Sequence, residues 1–130
     1  MTNERNPKRV YDLEERTFMF AKSVRLFVKS LPRTIANIED VKQLIRSSGS
    51  VGANYLEANE ALSRKDFLMR IKISRKEAKE SHYWLKLIHE TNQLPESAEV
   101  ERLMQESSEL TKILSAIAEK SRLMQKQAGS

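Results

Sequence analysis

Residues 63–92 read SRKDFLMRIKISRKEAKESHYWLKLIHETN, and this stretch decides the fold. Ser63 followed by Asp66 is a capping box in sequence form, and Phe67 opens an apolar run. Asn92, Gln93, Leu94 and Pro95 close it. A helix over 64–92 would be roughly 45 Å long at about 1.5 Å per residue. At 100° per residue it divides into three sectors. Phe67, Ile71, Ser74, Ala78, Ser81, Leu85 and Ile88 fall on one face and predict a bundle core. Lys65, Leu68, Lys72, Lys76, Lys79, Tyr83 and Lys86 fall on a second. Met69, Ile73, Glu77, Glu80, Trp84 and Leu87 fall on a third.

The flanking segments carry the same helical period. Asp12 and Glu15 signal a helix start. Leu13, Phe20, Val24, Phe27 and Leu31 then follow at steps of three and four, with Thr17 filling one step. Pro32 ends that segment. A second helix is expected from Asn37, with Asp40 as its cap signal, through Ile38, Val41, Leu44, Ile45, Val51, Tyr55 and Leu62. Its middle holds Ser47, Ser48, Gly49, Ser50, Gly52 and Ala53, where two interior glycines each cost about 1 kcal/mol relative to alanine. A loop at 47–53 is the alternative. The apolar period resumes in phase on both sides, so one continuous helix is expected, with small residues admitting a close neighbour. In the last segment Val100, Leu103, Ser107, Leu110, Leu114, Ile117, Ser121 and Met124 keep a coiled-coil-like spacing. Helices are therefore expected at about 12–31, 37–61, 64–92 and 96–126. Short links favour an all-α, antiparallel up-down-up-down four-helix bundle. A basic arm over 1–11 and a frayed tail over 127–130 complete the layout.

Composition agrees. The chain has 130 residues, three Gly, three Pro and no Cys, which bounds it to one domain of long elements without disulfide or thiolate chemistry. No signal peptide or membrane-spanning run is visible, and a cytoplasmic location is expected. The formal charge is +5. Residues 63–92 alone carry eight basic and four acidic side chains, so the excess sits mainly on the third helix. Such asymmetry can mark an acidic partner.

No constellation for catalysis, metal or nucleotide is visible, and neither enzymatic activity nor a cofactor is expected. His82 and His89, seven apart, would hold their Cα atoms about 10 Å apart, too far to chelate one ion unaided. The Glu-x-x-His signature of di-iron bundles is absent. Asn54 and Glu57 share a face with the small-residue segment and are expected to form a structural polar network. The lysine sector has two readings. Charge stripes are usually solvated faces. Alternatively Lys65, Lys72, Lys76, Lys79 and Lys86 form a phosphate-contacting rail, with Tyr83 able to stack on an unpaired base. Lys72 and Lys76 repel at i,i+4, which an anion would relieve, although Glu77 and Glu80 could do the same. The Met69, Ile73, Trp84 and Leu87 stripe suggests a homo-oligomer interface. A broad core seam would absorb Trp84 and Leu87 instead.

Residues 43–58, QLIRSSGSVGANYLEA, with SRKDF at 63–67 and ISRKEAKESHYWL at 73–85, are characteristic in combination. Together with Asp12, Leu13, Arg16, Phe20 and Ala21, they resemble the four-helix-bundle proteins encoded in intervening sequences of bacterial 23S rRNA genes. One departure is Ala58, where the family often has glycine after the glutamate. The resemblance implies a left-handed antiparallel four-helix bundle and a ring-shaped homo-oligomer, a pentamer. A related protein, the accessory factor of diversity-generating retroelements, is basic and pentameric and binds nucleic acid and a reverse transcriptase. The family name records a gene location. The implied role is therefore a non-enzymatic bundle binding RNA or DNA, with a protein-interaction scaffold as the alternative and no membrane partner.

Overall fold

The computed structural model describes residues 12–95 and 97–128. Within them run four helices: α1, Leu13–Val28; α2, Ile35–Asn59; α3, Arg64–Thr91; and α4, Ser97–Ala128. Each packs on its sequence neighbours, α1 also packs on α4, and among the described residues the backbones of diagonal helices do not approach this closely. The order around the bundle is therefore α1, α2, α3, α4. Contacts fix the directions. Ser47 meets Ser81, Val51 meets Ser74 and Asn54 meets Arg70, so residue numbers fall along α3 as they rise along α2. Arg25 reaches Ile45 while Glu14 reaches Asn59, and His89 meets Glu101 while Arg64 meets Met124. This is the expected antiparallel up-down-up-down bundle.

The core follows the sequence period. In α1, Leu13, Thr17, Phe20, Val24 and Phe27 are buried, alternating steps of four and three. Val100, Leu103, Ser107, Leu110 and Leu114 do the same in α4, where Ala118 then takes the buried position beside a half-buried Ile117. Met124 is exposed. The basic arm over 1–11 lies outside the described residues, as does the end of the tail; α4 itself continues to Ala128.

Helix ends show where local chemistry wins. Ser63 Oγ accepts from the Asp66 backbone N–H at 3.0 Å, the expected cap of α3. Asp12 holds the N-cap position of α1, but its side chain makes no capping bond. Thr34, rather than Asn37, caps α2: its Oγ1 accepts from Asn37 N at 3.1 Å. Asn37 is thereby inside the helix and buried, exchanging two 2.9 Å amide bonds with Asn92 and ties one end of α2 to the end of α3. Leu62, expected within α2, sits in the α2–α3 turn and is 98% exposed.

α2 is helical throughout its small-residue segment. The small side chains admit neighbours on two sides. Toward α3, Ser47 Oγ lies 2.9 Å from Ser81 Oγ, and Ser74 Oγ donates to Val51 O at 2.7 Å. Toward α1, a Cβ on Gly52 would lie 2.9 Å from Thr17 Oγ1 and 3.2 Å from its Cβ. Thr17 cannot yield easily, because its hydroxyl donates to Leu13 O at 2.8 Å and its β-carbon is fixed on α1. At Gly49 the nearest atom is the end of the Arg25 guanidinium, 3.2 Å away. The two glycines should therefore respond oppositely. Gly52→Ala is expected to cost about 1–2 kcal/mol through overpacking, even after the gain in helix propensity. Gly49→Ala is expected to stabilise by up to about 0.5 kcal/mol. Urea unfolding of both variants checks the sign. Equal responses would show that the α1–α2 approach is looser at Thr17.

Candidate nucleic-acid interface

The buried side of α3 is Leu68, Ile71, Ser74, Glu77, Ala78, Ser81, Leu85 and Ile88. Directly away from it, Lys65, Lys72, Lys76, Lys79, Tyr83 and Lys86 are all exposed. Leu68 is the exception to the expected lysine sector. It lies seven and fourteen residues before Arg75 and His82, on the flank whose His82 and His89 share a groove with Glu101 and Met104 of α4, and it joins the core. The remaining lysines form a crest on the solvent side. Lys65 to Lys86 spans roughly 32 Å, with heptad steps of about 10.5 Å.

Carboxylates could have neutralised this crest, and the two beside its middle, Glu77 and Glu80, are committed elsewhere. Glu80 Oε1 accepts from Arg46 Nη2 of α2 at 2.6 Å. Glu77 is buried, and Arg46 Nη1 straddles its carboxylate, 3.4 Å from Oε2 and 3.3 Å from Oε1. Only the first has hydrogen-bond geometry, so Oε1 has no hydrogen-bond donor. The bond to Glu77, with Glu80 alongside, pushes the Arg46 pKa above its ordinary value. On the opposite side of the bundle, Arg16 is bonded to Glu106 at 2.7 Å and to Glu109 at 2.7 Å. Among the described residues, Lys65, Lys72, Lys76, Lys79 and Lys86 take part in no ion pair within 4.0 Å.

Beside the crest lies an open depression of about 590 Å³, lined by Met69, Lys72, Ile73, Arg75, Lys76, Lys79, Glu80 and Tyr83. Apolar side chains, four cations and one carboxylate share its lining. Tyr83 is 56% exposed and meets Trp84 almost perpendicularly, at 77°, with ring centroids 5.0 Å apart. The rings meet edge to face rather than stacked, and much of the Tyr83 side chain is exposed.

The expected oligomer stripe is divided by the structure. Trp84 is half-buried and packs against the core, and Ile73 and Leu87 are half-buried. Met69 alone of the four is exposed, at 48%. Asn54 donates to Ser50 O at 3.0 Å and accepts from Arg70 Nη1 at 3.2 Å. Glu57 is exposed and takes no part in these bonds, so the Asn54–Glu57 network is replaced by an Asn54–Arg70 pair. The polar network of the α2–α3 seam is Arg46, Ser47, Glu77 and Ser81, which sequence reading did not single out. Its signal was present: Ser47, Ser74 and Ser81 stand at core positions otherwise held by apolar residues. His89 Nε2 lies 3.5 Å from Glu101 Oε2, and among the described residues no three His, Asp or Glu side chains gather as metal ligands.

A comparison with curated proteins gives no match. Among solved structures, a protein of unknown function from the S23 ribosomal protein family of Bacteroides thetaiotaomicron VPI-5482 superposes with a TM-score of 0.73. It is 33% identical, and the match covers 81% of this chain and 96% of that one. The sequence also matches the family described as 23S rRNA-intervening sequence protein over residues 10–116, most of the bundle. With the four-helix architecture and this coverage, the chain belongs to the 23S rRNA-intervening sequence protein family.

Proposed function

We propose that this protein is a non-enzymatic helical bundle that binds nucleic acid through phosphate contacts along α3. One observation carries the reading: Lys65, Lys72, Lys76, Lys79 and Lys86 are exposed and unpaired among the described residues, while Glu77 and Glu80 are engaged by Arg46. Arg102 with Glu99 and Arg122 with Glu119 pair locally on α4, whereas the five lysines of α3 line one edge together and like charges at i,i+4 repel. Phosphates would relieve the repulsion along α3 and supply most of the affinity. Absorbance at 260 and 280 nm, read on freshly purified protein before and after a high-salt wash, tests it. A ratio that starts high and falls on washing supports the proposal. A protein-like ratio throughout counts against it. Among the described residues no helix is long and apolar enough to cross a membrane, and a cytoplasmic location suits such a ligand.

The protein-scaffold reading rests on different residues. Phe18 and Leu26 on α1 are 61% and 56% exposed. A ring-shaped homo-oligomer, a pentamer, is part of the proposal, with Leu87 of α3, which lies outside the depression, at the contact. Trp84 makes a poor test of it, because removing a side chain packed on the core would destabilise the subunit as well. Leu87→Glu is expected to lower the mass measured by light scattering while leaving helicity unchanged. A variant that keeps the wild-type mass removes the α3 stripe from the contact.

A further inference from the structure

Resting on the nucleic-acid reading above, we infer that the ligand of α3 is an unpaired single strand, held by its phosphates on the lysine crest and by its bases on Met69, Ile73 and Tyr83. Charge alone would not distinguish a strand from a duplex; the shape and chemistry between the charges do. Lys72, Lys76 and Lys79 line the same depression as Met69 and Ile73, together with Arg75 and Glu80. A duplex presents phosphates and groove edges and keeps its base faces stacked inside, so it leaves that apolar surface in water. Unpaired bases have free faces that would cover it. Tyr83 adds an exposed aromatic side chain to the same depression, and base–aromatic stacking tolerates any base.

Lengthwise insertion into a groove is disfavoured for this helix. A B-form major groove, about 12 Å wide, admits one helix, whereas α3 is flanked by antiparallel α2 on one side and α4 on the other. An A-form major groove is deep and too narrow for side chains to read. A duplex could therefore meet α3 only through phosphates along a convex edge. The crest also sets a length. Its roughly 32 Å accommodates up to about nine nucleotides of a stacked strand at about 3.4 Å each.

The test uses the intact protein and four labelled 12-mer probes at physiological salt: single-stranded RNA, single-stranded DNA, the corresponding DNA duplex, and an abasic phosphodiester. The expected result is that both single strands bind roughly tenfold tighter than the duplex and the abasic chain. Affinity should rise with strand length and level off near nine nucleotides. Tyr83→Ala should lose roughly tenfold for the single strand without altering its salt slope, and Tyr83→Phe should restore it. The duplex should be indifferent to both. Equal binding of duplex and single strand overturns the inference while leaving phosphate binding intact, and so does an abasic chain that binds as well as the intact one. No binding to any probe overturns the nucleic-acid reading itself and points to a protein ligand.

Discussion

Charge reversal of Lys72, Lys76 and Lys79 to glutamate together is expected to weaken binding to a single-stranded oligonucleotide by roughly fiftyfold or more at physiological salt. The magnitude follows from counterion release. Each phosphate contact to a single strand contributes about 0.7 to the slope of log affinity against log salt, so three lost contacts should flatten that slope by about two. Repulsion by the new carboxylates adds to the loss. Folding should be spared, because all three side chains are exposed and enter no ion pair among the described residues. Glutamate is also as good a helix former as lysine. Circular dichroism beside the titration separates loss of the site from loss of the fold. Unchanged affinity in a folded variant would remove the crest from the interface.

Removal of the Arg46 side chain is expected to destabilise the α2–α3 seam. Glu77 exposes 9% of its side chain, and among the described residues Arg46 holds the only guanidinium against it, while itself 48% exposed. Stripping the partner from a buried ion pair costs about 3–5 kcal/mol because a charge is left in a poorly solvated place. Water can enter where the guanidinium stood, so about 2 kcal/mol is the expected cost of Arg46→Ala. Adding Glu77→Leu should recover most of it, since the stranded carboxylate is then gone and an apolar side chain fills the seam. Chemical denaturation at one fixed protein concentration keeps any assembly term constant. A double variant no more stable than Arg46→Ala alone would mean that Glu77 is adequately solvated without its partner.

Helical period made the fold legible. The seam Leu13, Thr17, Phe20, Val24, Phe27 repeats in the structure residue for residue, and in-phase apolar positions on either side of Gly49 and Gly52 read correctly as one helix. Ser63 declared its own role as a cap. Thr34 did not, because Asn37 and Asp40 look like a cap and its acidic follower, while the tertiary demand for Asn37 comes from Asn92, 55 residues away. Range sets the same limit at the candidate site. The exposed lysines could be placed from spacing alone. Whether Glu77 and Glu80 neutralised them depended on Arg46, 31 residues upstream of Glu77 on another helix. Leu68 differs from its expected sector for another reason, and Trp84 packs on the core seam, the second of its two readings. Both lie at sector boundaries of α3, where the packing of α4 or α2, rather than the angle on a helical wheel, decides what is covered.

A salt-series titration of the wild-type protein into a labelled single-stranded 12-mer addresses the phosphate rail most directly. Five contacting lysines predict binding that persists at physiological salt, with a log–log slope near −3.5 or about 0.7 per contact. Binding that is lost at physiological salt, or a slope close to zero, would contradict a phosphate rail on α3 and leave its lysines as a solvated face.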